Sequence, residues 1–354
     1  QIVYGFGYDS AGTGNTSQAR AANPDLKWES KAETNLGVDF AQGKLSGSLD
    51  IYTRDISDFI QNTRVDVATY GFDRRFENSG KINTQGLELN IGYEVTDNYQ
   101  TNINLSTYNT TLEEYVIEGG DIAGNLGSPG QNATNMIIVR PGEAIGQIWA
   151  PRFDGVNPDG SIKFGDVNGD GIITAGQDKW NDENADFISA GNGIPSLELG
   201  WSNNLNFGNW SVNAFFRGAF GHSLVNTFRA FYEPRLASQS SYNFVNTELA
   251  LPELTVAQFS SLYVEKADFF KLDNLTVAYN FTLGEGSIID GAQISANVQN
   301  AFVITNYTGI DPEPSLIDGG SSTTSGGNVL APGIDRRSNY FTARTVTIGL
   351  NINF

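Results

Sequence analysis

"TVTIGLNINF", residues 345–354, alternates without a break: Val346, Ile348, Leu350, Ile352 and Phe354 fall on one side, and Thr345, Thr347, Gly349, Asn351 and Asn353 on the other. A period of two is the signature of a β-strand with two unlike faces. The same rhythm recurs. Leu36, Val38 and Phe40 alternate with Asn35, Gly37 and Asp39. Leu87, Leu89, Ile91 and Tyr93 alternate with Glu88, Asn90 and Gly92. Further stretches lie at 102–106, 197–202, 274–281 and 293–299, with looser ones at 45–52 and 210–217. About ten strands are expected, and the fold class is all-β.

A soluble β-sandwich also alternates, with polar side chains outward. Here the polar face is mostly Asn, Ser, Thr, Gln and Gly, where a soluble outer face carries many Lys and Glu. Aromatics gather near strand ends: Trp28, Tyr52, Tyr93, Tyr108, Trp201, Phe207, Trp210, Phe281 and Phe354. Both features suit an antiparallel transmembrane β-barrel, with an apolar band toward lipid, aromatic girdles at the two interfaces and a small-polar wall toward a wet lumen. Lipid satisfies no backbone groups, so such strands must close on themselves. Short connections near 41–44 and 94–99 alternate with long ones at 61–80, 113–144, 154–194, 222–262 and 303–341, as barrels do between their two ends.

Composition narrows the function classes. The 354 residues hold 40 Asp plus Glu against 21 Lys plus Arg, a net charge of −19. A nucleic-acid partner would need a basic face. No cysteine and one histidine, His222, leave no zinc or thiol site and little for histidine catalysis. No apolar run reaches about 18 residues, so no spanning helix is expected. The start at Gln1, without initiator methionine or signal peptide, reads as a fragment or a processed product.

Several stretches, taken in order, resemble the C-terminal part of the SusC/RagA-type TonB-dependent outer-membrane transporters of the Bacteroidetes. They are "NPDLKWESKAETNLGVDF" (23–40), "NSGKINTQGLELNIGY" (78–93), "RPGEAIGQIW" (140–149) and "FDGVNPDGSIKFGDVNGDGIIT" (153–174). They continue in "GNGIPSLELGWSNNLNFGNWSVNAFFRGAFG" (191–221), "YVEKADFFKLDNLTVAYNF" (263–281), "ISANVQNAFVITNYTGIDPE" (294–313) and "ARTVTIGLNINF" (343–354). The resemblance implies a barrel of about 22 strands with a plugged lumen, of which residues 1–354 supply the last ten or eleven. It also implies a Gram-negative outer-membrane location, a SusD-like lipoprotein lidding the outer mouth, and TonB acting on a plug that this chain lacks. The remaining barrel and plug segment, and lipid, would complete the surroundings. Phe354 would be the C-terminal aromatic read by the barrel-assembly machinery. The function expected is import of oligosaccharides, peptides or similar large nutrients, not enzymatic.

One motif stands apart. In "DVNGDGIITAGQD" (166–178), within the long loop 154–194, Asp166, Asn168 and Asp170 sit at positions one, three and five of an EF-type calcium loop. Gly171 supplies the sharp turn and Ile172 offers its carbonyl at position seven. Position twelve is Gln177; the closing acid arrives one residue late, as Asp178. A calcium ion would pin a long outer loop, and the other reading is a Gly/Asp-rich turn with no ion. The nearby Asp154, Asp159, Asp182, Glu183 and Asp186 read as a solvated loop, with a second cation site as the alternative. His222, Asp311 and Glu313 ("DPEP") read as loop and turn residues. The loop aromatics Tyr232, Tyr242, Phe244, Tyr307, Tyr340 and Phe341 suit sugar stacking, a lid contact or ordinary packing. Two rival functions remain open: a soluble calcium-stapled β-rich adhesin, and a β-sandwich glycan hydrolase, which needs two facing carboxylates across a cleft.

Overall fold

A computed structural model describes residues 4–8, 14–18, 21–72, 74–116, 121–126, 134–176, 178–235, 244–282, 289, 291–314, 332–336 and 339–353. Nine long strands form one antiparallel sheet. They are β1 (Ser30–Gln42), β2 (Leu45–Ser57), β3 (Gly80–Thr96), β4 (Tyr99–Tyr115), β5 (Leu197–Phe207), β6 (Trp210–Phe220), β7 (Phe269–Thr282), β8 (Gly291–Thr305) and β9 (Thr345–Asn353). Each pairs with the next in chain order, and β1 and β9 remain as two unjoined edges. All nine alternating stretches of the sequence lie in these strands. The sheet is an open up-and-down wall, part of a barrel rather than a closed one. Tight turns join the strands at one end, where Gly43 and Gly208 take φ of +60° and +56°, a conformation that glycine enters without a Cβ penalty.

Register carries the alternation across the whole sheet. One row runs Val38, Leu49, Leu89, Leu105 and Leu199 on five neighbouring strands. Another runs Leu205, Val212, Val277, Ala296 and Ile348. This face has nothing packed over it: Leu36 is 72% exposed, Ile348 77% and Leu350 68%. Leu89 and Ile103 are half-buried among their row neighbours. So many apolar side chains on one uncovered face far exceed the patches a soluble surface tolerates, which disfavours the sandwich.

The aromatic girdle needs one correction. Tyr93, Phe207, Trp210 and Phe281 do gather on the apolar face at the tight-turn end, where Trp210 meets Tyr279 edge-on at 4.8 Å. Tyr52 and Tyr108 do not. They flank Gly86 on the opposite, polar face, and a Cβ on Gly86 would fall 2.5 Å from the Tyr52 ring. Parity fixes this: Tyr52 is in step with Asp50, not with Ile51. Phe354 lies outside the described residues.

At the other end the long connections build a second body. The expected loops 113–144 and 154–194 are one excursion, because Gln147–Pro151 is not a wall strand. It belongs to a four-stranded sheet with Asp121–Leu126, Thr134–Val139 and Phe187–Asn192. Met136, Ile137 and Ile138 are consecutive and fully buried, so the segment reads as a short apolar run rather than an alternation. Met136 and Ile137 pack with Ile148, Ile162, Val225, Ala230, Leu254, Phe259, Tyr263 and Ile334. The compact hydrophobic core of the described residues therefore lies in the loops, not under the sheet.

Candidate functional site

The polar face carries the chemistry. On one row, Asp50, Glu88, Ser106 and Glu198 sit side by side on β2, β3, β4 and β5. One step along, Asn90 and Asn104 pair across β3 and β4. Asn102 donates to Asn90 at 3.0 Å, Asn104 donates to Asn102 at 3.0 Å, and Asn90 donates to Asn104, closing a ring of three amides. A similar knot joins Asn297 to Asn274 and Thr276 at 3.0 and 2.7 Å. Amides locked to one another add uncharged polar surface beside the acidic row.

A cavity of about 560 Å³ opens on this face, lined among others by Asp50, Glu88, Asn104, Glu198, Arg217 and Glu313. Arg217 on β6 stands directly opposite Lys271 on β7. The register slips between Phe215 and Phe216, leaving Asp273 unmatched on β7, and such a bulge re-aims a side chain. Asp273 meets Arg217 Nε at 3.2 Å and Lys271 at 3.4 Å. Glu313 completes the group: it accepts from Arg217 Nη1 at 2.9 Å, Arg217 Nη2 at 2.7 Å and Lys271 Nζ at 2.8 Å. The "DPEP" turn is thus seated on the polar face. Glu313 is held by two cations, Arg217 and Lys271, which it shares with Asp273.

The turn is held from behind as well. His222, buried, places Nε2 3.0 Å from the Pro312 carbonyl. Asp335, also buried, accepts from Tyr307 Oη at 2.8 Å, from the Ile310 N–H at 2.9 Å and from Asn339 at 3.1 Å. Burial raises the Asp335 carboxyl above its ordinary range, more than those hydrogen bonds lower it. Burial likewise raises the Tyr307 hydroxyl, with Asp335 adding to the effect. Arg229 binds Glu233 at 2.7 Å and Glu265 at 2.8 Å with little solvent access. Burial would raise Glu265, but hydrogen bonds from Arg229 and Thr308 reverse this and leave it below its ordinary value. His222, which reads as a loop residue, and Tyr307, which reads as a stacking, lid-contact or packing aromatic, are buried anchors. Phe244, Tyr340 and Phe341 are exposed, and Tyr242 lies outside the described residues.

The 166–178 loop knits itself together. Asp166 accepts from the N–H of Gly169 at 2.6 Å and of Gly171 at 2.8 Å. Asn168 accepts from Asp170 N–H at 3.0 Å, and Asp170 from Ile172 N–H at 2.7 Å. Asp178 stays out of this set, with Oδ1 turned toward Gly176. Asp186 does the closing instead. It is fully buried and accepts from Val167 and Thr174 N–H, each at 2.6 Å; it is not the solvated residue expected. Among the described residues no three His, Cys, Asp or Glu side chains form a metal-ligating group.

A sheet with one uncovered apolar face and the other lined by amides, hydroxyls and charges is the wall of a membrane barrel around a wet lumen. Residues 2–301 match the family described as "TonB dependent receptor-like, beta-barrel", and the chain belongs to that outer-membrane family. It is 27% identical to TonB-dependent receptor P3 of Formosa agariphila over 94% of this chain and 35% of that protein. It is 26% identical to TonB-dependent receptor SusC of Bacteroides thetaiotaomicron over 96% of this chain and 33% of that one. The RagAB peptide transporter superposes over the whole chain and 38% of its own with a TM-score of 0.74 at 20% identity, a likeness of fold. The chain thus spans about a third of the length of the curated relatives it matches.

Proposed function

We propose that this chain is the C-terminal part of the wall of a SusC-like, TonB-dependent importer of large nutrients such as oligosaccharides or peptides. The observation that carries it is the pairing of a continuous lipid-type face with an amide, hydroxyl and charged face on the same nine strands. Such a face solvates a polar cargo without trapping it. The chain does no covalent chemistry in this reading. Energy comes from TonB pulling a plug carried by a part of the protein outside these residues. The long-loop end receives a SusD-like lipoprotein lid, for which the exposed Phe244, Tyr340 and Phe341 offer contacts. Purifying the full-length protein from outer membranes in mild detergent, and identifying the chains and small molecules that travel with it, tests the reading. A lipoprotein partner and TonB-dependent uptake of the bound nutrient are expected; uptake that persists without TonB refutes it.

Loop 166–178 takes one calcium ion in this proposal. Supporting it are the oxygen-only donor set of Asp166, Asn168, Asp170 and the Ile172 carbonyl. Each carboxylate oxygen that accepts one N–H keeps a further lone pair. Hard oxygen donors in a tight, Gly-turned loop suit calcium. Asp178, the late closing acid, would have to swing in.

A further inference from the structure

Arg217 and Lys271 face each other across neighbouring strands, and like charges placed so destabilise a sheet. Asp273 neutralises one of them from within the wall. The second counter-charge, Glu313, comes from a turn between β8 and β9 and reaches the pair as a guest. Its two oxygens take the two guanidinium N–H groups in the bidentate fork, with the ammonium on one oxygen, which is how a free carboxylate is recognised. The site is open: the side chains of Arg217 and Glu313 are 37% and 39% exposed, and both line the 560 Å³ cavity. Solvent reaches this pair and screens it, so an incoming carboxylate can take the place of Glu313 in the fork. The backbone behind Glu313 is held in place. Asp335, His222 and Glu265 tie down Tyr307, Thr308, Ile310 and Pro312, so the carboxylate is offered from a fixed mount and can rotate away without unseating the turn.

We infer that Arg217 and Lys271 form a carboxylate-binding subsite on the lumenal wall, and that Glu313 is its resident occupant, displaced by the carboxylate of a passing ligand. The inference rests on the import reading and narrows its cargo to molecules bearing a carboxylate. The flanking Glu198, Glu88 and Asp50 oppose polyanions, so a single acid group suits the site. Two chemistries supply one: the C-terminus of a peptide and a uronate in a sugar chain.

Binding of four probes to the full-length protein in detergent tests this by calorimetry. The probes are a short alanine peptide with a free C-terminus, its C-terminal amide, a galacturonate-ended oligosaccharide and its neutral counterpart. An acid probe is expected to bind more tightly than its uncharged twin, and the pair that discriminates names the source. Glu313→Gln removes the competing occupant and tightens the acid probe by up to about fivefold, the range of an exposed ion pair, with no effect on the uncharged one. Arg217→Gln weakens the acid probe tenfold or more. Acid and uncharged probes binding alike, no acid probe binding at millimolar concentration, or Glu313→Gln weakening the acid probe would each overturn the subsite and leave Glu313 a structural staple. TonB-dependent uptake by the wild type is measured separately, so loss of the subsite and loss of the import reading are told apart.

Discussion

Leu89 and Asn90 are adjacent in the chain and stand on opposite faces of β3, so replacing each by arginine isolates what the faces meet. Leu89 lies four residues from Tyr93 in the aromatic girdle, between Leu49 and Leu105. At about 3.4 Å per residue and a strand tilt of about 40°, that is about 10 Å above the girdle. In an apolar belt about 25 Å tall it is close to the midplane. An arginine there costs roughly 2–4 kcal/mol. Asn90→Arg leaves the charge in water beside Glu88 and breaks two amide contacts of the three-membered ring, at roughly 0.5–1.5 kcal/mol each. One contact is exposed and the other part-buried, so the loss sits toward the low end, about 1 kcal/mol in all. The difference is about 2 kcal/mol, near thirtyfold in the folding equilibrium. Urea titration of the full-length protein in vesicles, followed by heat-modifiable gel mobility, measures it. Equal losses for the two variants, or a larger loss for Asn90→Arg, would refute the assignment of faces.

A Cβ on Gly193 would lie 2.4 Å from the Pro332 carbonyl and 2.5 Å from Gly333 Cα. Gly193→Ala should therefore loosen the loop core by about 1–3 kcal/mol, seen as faster protease cleavage on intact cells with the wall still folded. Glu265 is held below its ordinary value of 4.5. Its contribution is complete above that pH and is lost as pH falls through the lower folded value, so amide exchange in 223–226 and 264–266 should quicken on acidification below 4.5. Asp335 has the opposite sign: its raised carboxyl binds the proton more readily in the folded state, so Asp335→Asn should flatten a loss of stability that grows as pH climbs above 3.8. Chelation of calcium, or Asp170→Ala, should expose 166–178 to protease and leave the wall's urea midpoint in place; no heat of calcium binding at millimolar concentration would end that proposal.

The wall was legible because its physics is local. Period two, set by the pleat, is written into each strand separately, and Ile348 or Leu89 needs no distant information to be assigned a face. Tyr52 and Tyr108 show that parity, not nearness to a strand end, is the reliable guide. The loop core was not legible. Met136–Ile138 has no period, and the burial of Met136 and Ile137 depends on Val225, Tyr263 and Ile334, contributed by other excursions. The calcium motif was visible, but Asp186 was not, because its role comes from a strand folding back over the loop. Glu313 was read as part of a turn, and only the register slip at Asp273 and the facing of Arg217 and Lys271 give it a place on the lumenal side. The sequence signal for the bulge in "KLDNLTV" is a change of apolar phase, from even positions (Phe270, Leu272) to odd ones (Leu275, Val277).

The shared loop core has a consequence for how such proteins can vary. In many barrels each surface loop is a private appendage, and one can be exchanged with little effect on the rest. Here residues from 136–137, 148–150, 162, 225–230, 254–263 and 334 fill a single interior, so several excursions form one fabric. Swapping a whole excursion between relatives would empty part of that interior and unsettle its neighbours. Exposed residues that leave the weave, such as Tyr340 and Phe341, can be exchanged without emptying it. Chimeras should be cut there, at the tips, rather than at the strand ends where barrel loops are usually grafted.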